Sequence, residues 1–275
     1  MLKKIDKAYN NLAGKLDFLS CPLCDNPFDL TRYQLKCQKG HQFDMNKKGY
    51  VNFLNHKVVE NYTKEMFEPR GRMIQAGLYD PLLAYIKENV RGESLVDVGC
   101  GEGSHLERLD FKGVNLAFDI SRDGINLATN QSINAFWALA DLTNLPYKSK
   151  SIDNILNIFT PSNYKEFARV LSTQGQVFKV IPDKYYLREL REAYGLPVDY
   201  DNHKVKAKFY SHFEHVHEQE FNYTFDIPKN LREDFLKMSP LEWQVDSKKL
   251  EEVASNPPKT ATVHINLLIG ENILP

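Results

Sequence analysis

The stretch Ser94-Leu-Val-Asp-Val-Gly-Cys-Gly-Glu-Gly103 joins a short apolar run to a glycine-rich turn. Residues 94–99 have the composition of a buried strand, and residues 103–110 after the turn have a helical pattern. Glycine at positions 99, 101 and 103 lets the backbone turn sharply and approach a ligand closely. The stretch therefore predicts a strand–turn–helix unit whose turn binds a ligand.

Predicted strands and helices alternate after this unit. The strands are expected at 114–120, 135–140, 152–159 and 176–181, and the helices between them at 122–130 and 162–171. This order predicts an α/β fold with a parallel, doubly wound sheet. Helices are also expected upstream, over 3–18 and 73–90, and a last strand over 260–270.

The charge is distributed unevenly along the 275 residues. Residues 1–64 carry ten Lys and one Arg against six acids, a formal charge of +5, and the remainder carries −6. This asymmetry suggests an anionic partner for the N-terminal part, and a lysine-rich solvated surface is the alternative. No apolar run is long enough for a membrane span, and the N-terminus lacks the apolar core of a secretory signal, so a cytoplasmic protein is expected.

Three of the four cysteines lie close together in a turn-rich segment. Cys21, Cys24, Cys37 and His41 form the pattern C-x2-C-x12-C-x3-H. Pairs of ligands two or three residues apart can bind one zinc ion from a tight turn, and four protein ligands leave no position for water. The pattern predicts one structural zinc ion; free cysteines with a surface histidine are the alternative.

Acidic residues at the ends of the predicted strands indicate the kind of ligand. A dinucleotide pyrophosphate needs a turn without nearby negative charge, but this turn carries Asp97 and Glu102. Acids suit the sulfonium and amino groups of S-adenosylmethionine better. Asp119 can accept from both ribose hydroxyls, and Asp141 from the adenine amino group, although a helix cap or surface residue is the alternative for Asp141. The residues predicted to contact this cofactor are Asp97, Gly99, Gly101, Glu102, Gly103, Asp119 and Asp141.

The segment Ile158-Phe159-Thr160-Pro161-Ser162 follows the fourth predicted strand, at the edge of the sheet where the methyl donor is expected. It could hold an acceptor base, with Phe159 stacking on it, or it could be a plain strand-to-helix turn. The sequence does not identify a general base, and the catalytic residues remain unassigned.

With these sites placed, the chain resembles the bacterial 23S ribosomal RNA (guanine-N(1))-methyltransferase family, which includes macrolide-resistance enzymes. The resemblance extends over nearly the whole chain from about Leu19. It depends on the motifs Cys21-Pro-Leu-Cys24, Cys37 to Asp44, Lys48-Gly-Tyr-Val-Asn52, Ala76-Gly-Leu-Tyr79, Asp97-Val-Gly-Cys-Gly-Glu102, Asp119-Ile-Ser121 and Phe167-Ala-Arg-Val170.

The resemblance implies a zinc module on a Rossmann-like class I methyltransferase domain, an RNA-sized cleft and a homodimer. The family's cofactor contacts correspond to Tyr79, Gly101, Glu102 and Tyr186. The chain departs from the family at Tyr186, where relatives carry His. It departs again at Arg70-Gly71-Arg72, where relatives have two adjacent arginines.

Together these observations predict an N-terminal helix and zinc-binding module over residues 1–60 and an S-adenosylmethionine-dependent methyltransferase domain over 61–275. The predicted activity is methyl transfer to ring nitrogen 1 of a guanine in a hairpin loop of 23S rRNA. A small-molecule methyltransferase and a non-catalytic, zinc-dependent RNA-binding protein are the alternatives.

Overall fold

The computed structural model of the protein describes residues 2–55, 58, 62–199 and 201–274. The predicted domain boundary between residues 60 and 61 lies outside them. In the described ranges, no helix combines the length and the apolar character that crossing a membrane requires.

The N-terminal part consists of one helix and four short strands. They are α1 (Lys4–Ala13), β1 (Phe28–Thr31), β2 (Gln34–Cys37), β3 (Gln42–Asp44) and β4 (Tyr50–Asn52). Strands β1, β2 and β3 form a small antiparallel sheet, whereas β4 pairs with a strand of the large sheet. The helix predicted over 3–18 ends at Ala13 and is followed by a separate 3-10 turn at Leu16–Phe18.

The large sheet has eight strands. Besides β4 they are β5 (Ser94–Val98), β6 (Val114–Asp119), β7 (Ala135–Leu139), β8 (Ile152–Ile158), β9 (Leu171–Pro182), β10 (Phe213–Asp226) and β11 (Thr260–Ile273). Their order is β10-β11-β9-β8-β5-β6-β7-β4. Every pair from β9 to β4 is parallel, and β11 is antiparallel to both β9 and β10. The predicted parallel, doubly wound sheet is confirmed for β4 to β9, and β10 and β11 add an antiparallel edge to it.

Helices follow or separate these strands. They are α2 (Lys64–Gln75), α3 (Asp80–Asn89), α4 (Ser104–Leu109), α5 (Arg122–Ala128), α6 (Tyr164–Val170), α7 (Arg188–Tyr194), α8 (His203–Tyr210), α9 (Arg232–Lys237) and α10 (Ser247–Ser255). The prediction of one helix over 73–90 is wrong. Gly77 has φ +99° and breaks the chain into α2 and α3, and Pro81 lies in the first turn of α3.

The core lies on both faces of the large sheet, because alternate residues of each strand point to opposite sides. Leu95 packs in one apolar cluster, and Val96 and Val98 pack in the other. The second cluster also contains Phe28 and Leu35 of the small sheet. The zinc module therefore shares a continuous core with the large sheet.

Candidate active site and metal centre

Two turns of the N-terminal module bring the predicted metal ligands together. In the first turn the amide of Asp25, a residue with φ +57°, donates to the carbonyl of Cys21 at 2.8 Å. In the second, the amide of Gly40 donates to the carbonyl of Cys37 at 2.9 Å, and Gly40 has φ +85°. Both turns use a left-handed residue, and each turns a pair of ligands toward the same point.

The four donor atoms have the spacing of a zinc site. They all lie within 4.8 Å of one another. The Sγ atoms of Cys24 and Cys37 are 3.6 Å apart, and His41 Nδ1 is 3.4 Å from Sγ of both Cys21 and Cys37. Tetrahedral zinc at about 2.3 Å from sulfur and about 2.0 Å from nitrogen gives edges of roughly 3.5–3.8 Å. The predicted set of Cys21, Cys24, Cys37 and His41 fits a structural zinc ion.

The glycine-rich turn has the strained backbone that its sequence predicts. Gly99, Gly101 and Gly103 have φ values of +69°, +53° and +80°. A Cβ atom at Gly101 would lie 2.9 Å from the Phe67 ring, and one at Gly103 would lie 2.7 Å from Trp137. Both the left-handed backbone and the close packing therefore require glycine here.

Asp119, at the end of β6, lies directly beside this turn. One carboxylate oxygen accepts from the amide of Gly101 and the other from the amide of Ser121, both at 2.7 Å. A carboxylate has about four lone-pair positions, so both oxygens can still accept from a ligand hydroxyl. Asp119 thus fixes the turn and keeps the acceptors that a ribose requires.

The turn and Asp119 form part of the wall of a cavity of about 880 Å³ at the carboxyl edge of the sheet. Seven of the nine predicted cofactor contacts line it. They are Tyr79, Gly99, Gly101, Glu102, Asp119, Asp141 and Tyr186. Gly103 instead forms the N-terminal cap of α4, and Asp97 lies beneath the turn and is only 2% exposed.

Buried acids give this part of the cavity wall its electrostatic character. Burial, reinforced by the charges of Asp119 and Glu102, raises the pKa of Asp97 well above its usual range. Burial also raises the pKa of Glu102 to about 7, although the Arg70 cation opposes this shift. Oδ2 of Asp97 and Oε1 of Glu102 have no hydrogen-bond partner in the described part of the chain. Carboxylates held in this way favour a cationic ligand, which fits the sulfonium and amino groups of S-adenosylmethionine.

Three aromatic side chains pack together in the cavity wall. The hydroxyl groups of Tyr79 and Tyr186 are 2.5 Å apart and share a hydrogen bond. The ring of Phe159 lies 5.7 Å from that of Tyr79 and 5.2 Å from that of Tyr186. Phe159 has φ +53°, so the segment 158–162 is a strained turn as well as part of the cavity wall. Tyr186, where the chain departs from the family pattern, therefore lies in the wall of the same cavity as Tyr79.

Several cavity residues were not predicted from the sequence. His105 packs against Tyr79 at 5.5 Å, and burial lowers its pKa to about 3. The cationic side chains that line the cavity are Arg70, Lys179, Arg191, Lys204 and Lys208. Arg70 belongs to the segment Arg70-Gly71-Arg72 that the sequence analysis singled out, whereas the other four were not predicted. Single Lys and Arg residues carry no periodic signal, and only the chain topology brings these five to one cavity.

The cavity has two differently charged halves. The acids Glu102, Asp119 and Asp141 lie at or just after the ends of β5, β6 and β7, with the cation of Arg70 near the first two. The cations Lys179 and Arg191 lie on and after β9. Strand β9 is separated from β6 by β8 and β5, and neighbouring strands lie about 4.8 Å apart. One half therefore suits a cationic ligand and the other an anionic one.

Comparison with known proteins agrees with both parts of this site. The family model described as "RlmA, N-terminal", a zinc ribbon, matches residues 19–58, and a "Methyltransferase domain" model matches residues 95–179. The zinc-ribbon match includes all four predicted ligands. The methyltransferase match begins within β5 and ends within β9.

Three curated relatives are similar over most of the chain. A "Putative 23S rRNA (guanine-N(1)-)-methyltransferase YxjB" of Bacillus subtilis is 34% identical over 91% of this chain and 95% of its own. The "23S rRNA (guanine(748)-N(1))-methyltransferase" of Streptomyces fradiae is 29% identical, covering 85% and 88%. A "Putative 23S rRNA (guanine-N(1)-)-methyltransferase" of Micromonospora griseorubida is 30% identical, covering 92% and 96%.

The zinc ribbon, the acid-lined glycine turn and the extent of these matches lead to one conclusion. The protein is an S-adenosylmethionine-dependent methyltransferase with a zinc-binding N-terminal module, and it belongs to the 23S rRNA (guanine-N(1))-methyltransferase family.

Proposed function

We propose that the protein transfers a methyl group from S-adenosylmethionine to ring nitrogen 1 of a guanine in a hairpin loop of 23S rRNA. The observation that carries this proposal is the division of one cavity into an acidic and a basic half. The acidic half suits the methyl donor, which is a cation, and the basic half suits the phosphates that flank an acceptor base. The activity printed in the names of the relatives supports the same assignment.

The cofactor contacts are assigned by the donors that each side chain can meet. Asp119 accepts from the ribose hydroxyls, and Asp141 from the adenine amino group. Oδ1 of Asp141 already accepts from the amide and hydroxyl of Thr143, both at 2.8 Å, so its carboxylate is held in place at the cavity wall. Glu102 stabilises the cationic end of the cofactor.

The acceptor base enters beside the segment 158–162. Here Phe159 offers an aromatic face, and stacking on such a face is worth about 1–3 kcal/mol per base. Lys204 and Lys208 are exposed on α8 at the same cavity, where they can contact the flanking phosphates. A base in a hairpin loop can reach this position because its Watson–Crick edge is not paired.

The test is methylation of ribosomal RNA from a strain that lacks the gene, with purified protein and S-adenosylmethionine. We expect nucleoside mass spectrometry to detect 1-methylguanosine in 23S rRNA only after treatment. Mass spectrometry of oligonucleotide fragments should locate it at one position. Protein carrying Asp119→Ala serves as the control and should act far more slowly.

Two outcomes would overturn the proposal. Methylation of a metabolite with no product in rRNA would identify a small-molecule methyltransferase. Binding of RNA without binding of S-adenosylmethionine in a calorimetric titration would identify a non-catalytic RNA-binding protein.

A further inference from the structure

A buried lysine lies at the position where the acceptor base is proposed to enter. Lys179 is on β9, lines the cavity, and is only 4% exposed. Its Nζ atom donates to Oδ1 of Asn157 at 2.7 Å and to the carbonyl oxygen of Thr160 at 2.5 Å. Lys179 therefore contacts the segment 158–162 directly, beside the expected site of the methyl group.

The Asn157 side chain, one of these two acceptors, is held in place by its neighbours. Oδ1 of Asn157 also accepts from the Ser162 hydroxyl at 2.8 Å, and its amide nitrogen donates to the carbonyl of Pro161 at 2.9 Å. Both acceptors of the lysine are neutral oxygens. In the described part of the chain, the structure gives Nζ no ion pair with a carboxylate and no third partner.

This environment makes the neutral amine of Lys179 more accessible than that of an exposed lysine, because burial destabilises the ammonium ion. A neutral amine has two N–H bonds and one lone pair, so the two acceptors use both hydrogens and leave the lone pair free. Burial lowers the pKa of Lys179 to about 8.

Burial is the cause of the lowered pKa of Lys179, and its described neighbours on the cavity wall provide no carboxylate that would oppose it. The residue paired with it on β11 is the apolar Leu268. The titratable groups that line the cavity from the surrounding helices and the segment after β9 are Tyr164, Tyr186, Arg191, Lys204 and Lys208. None of these is an acid, and the methyl donor adds another positive charge when bound. The acids Glu102, Asp119 and Asp141 lie across the sheet, after β5, β6 and β7.

We propose that Lys179 is the general base of the reaction, taking the proton from ring nitrogen 1 of the acceptor guanine. The nitrogen lone pair freed by this transfer forms the bond to the methyl carbon. The carbon–sulfur bond breaks with its electron pair on sulfur, which becomes a neutral thioether. Lys179 becomes an ammonium ion and returns its proton to water after the product leaves. This inference depends on the proposed function, because it requires an acceptor that loses a proton.

The main test compares Lys179→Met and Lys179→Arg with Lys165→Met, which removes an exposed lysine of α6. Single-turnover formation of 1-methylguanosine in the rRNA substrate is measured from pH 6 to 10. General bases typically contribute about 10²–10⁴-fold, so both variants at 179 should lose about that factor. Lys165→Met should keep the parent rate. Calorimetry should show the parent's affinity for S-adenosylmethionine in all three variants.

The dependence of the methylation rate on pH shows whether Lys179 acts as a base or only holds the segment 158–162 in place. The parent rate should rise about tenfold per pH unit and level off near pH 8, and Lys179→Met should lose this limb. Asn157→Asp places a carboxylate beside Nζ and should move the limb to higher pH. NMR of ¹⁵N-labelled lysine should show the same titration of Lys179 and the same displacement in Asn157→Asp, independently of turnover.

Three results would overturn the assignment: full activity in Lys179→Arg, a parent rate that falls above pH 8, or an NMR titration near the usual pKa of lysine. If the parent protein makes no 1-methylguanosine in rRNA, the proposed function fails first, whatever the state of Lys179.

Discussion

The metal centre and the acidic half of the cavity both bring side chains together that can bind a cation, zinc in the first and the cofactor in the second. The two sites differ in how completely they surround it. The metal centre encloses its ion with four donors within 4.8 Å, and Cys21 and Cys37 are fully buried. The acidic half leaves Glu102, Asp119 and Asp141 along the wall of an open cavity of about 880 Å³.

The difference explains why one cation is structural and the other is exchanged. Four protein ligands complete the coordination of zinc and leave no site for a substrate. Among the residues that the structure describes, Oε1 of Glu102 has no hydrogen-bond partner in the free protein. A cofactor that binds and leaves in each cycle needs such a preformed, incomplete site.

Breaking the metal centre should have the largest effect. Cys24→Ala combined with Cys37→Ala should abolish zinc binding, which supplies on the order of 10–16 kcal/mol in small zinc modules. Elemental analysis should find one zinc per chain in the parent and none in the variant. Hydrogen exchange should show lost protection in β1, β2 and β3, with protection kept in β5 and β6.

The matched control for the metal centre is Cys100→Ala, which removes the only cysteine outside it and should keep the zinc. Zinc retained in the double variant would contradict the ligand assignment. Because the module shares a core with the large sheet, the melting temperature should also fall in the double variant.

The next comparison concerns which of the two regions captures RNA. Lys36, Lys39, Lys47 and Lys48 are exposed on the zinc module, and we expect them to contact phosphates. Replacing all four with Gln should make the salt dependence of RNA binding shallower by about 3, at roughly 0.7–0.9 per contact. The corresponding loss of affinity is up to about a thousandfold at 0.1 M salt.

The comparison variant is Lys204→Gln with Lys208→Gln on α8. If the quadruple variant binds RNA with the parent's affinity and salt slope while the α8 variant does not, capture belongs to the methyltransferase domain. Zinc content and S-adenosylmethionine affinity should be unchanged in the quadruple variant, since none of its four residues is a metal ligand or lines the cavity.

Removing one acid of the cavity should have a smaller effect. Asp119→Ala deletes the proposed ribose acceptor and also the hydrogen bond at 2.7 Å that fixes Gly101. Hydrogen bonds to a charged group contribute about 1.5–3 kcal/mol, so calorimetry should find roughly ten- to a hundredfold weaker binding of S-adenosylmethionine. Asp123→Ala removes a half-buried acid of α5 that lies outside the cavity wall and accepts from the amide of Lys64, and it should bind the cofactor like the parent.

We expect the smallest effect from a change of pH, which should alter the charge of Glu102 in the cavity. Burial raises the pKa of Glu102 from 4.5 to about 7, so the free protein keeps a proton there that the unfolded chain loses. Its contribution to stability is therefore greatest below pH 4.5 and declines as pH rises to about 7.

Binding of the cationic cofactor favours the ionised carboxylate. Affinity for S-adenosylmethionine should thus rise with pH by at most tenfold per unit and level off above about pH 7. Calorimetry in buffers of different ionisation enthalpy should detect proton release on binding at pH 6. Glu102→Gln should flatten this dependence, and a flat profile in the parent would contradict the assigned pKa.

The sequence by itself determined the features that depend on local spacing. Cys21, Cys24, Cys37 and His41 could be assigned because each ligand pair spans one tight turn, so spacing along the chain fixes spacing in space. The sequence could place the glycine turn at 99–103 beside Asp119, because parallel strands bring their carboxyl ends to one edge of the sheet. The alternating pattern of strands and helices gave the sheet for the same reason.

Only the tertiary structure decided what depends on contacts between distant segments. Strand β4 joins the large sheet beside β7. Its three residues, Tyr50–Asn52, are too few to show a recognisable strand pattern in the sequence. Asp97 lies beneath the turn rather than on the cavity wall, because it is part of β5, whose five residues are all buried in the sheet. Lys179 meets Asn157 and Thr160 only because β9 pairs with β8, and a single lysine in an apolar strand does not indicate its neighbours. The order of strands in the sheet decides which side chains meet, and so it places the buried amine of Lys179 beside two neutral acceptors. The spacing of residues along the chain does not encode that order.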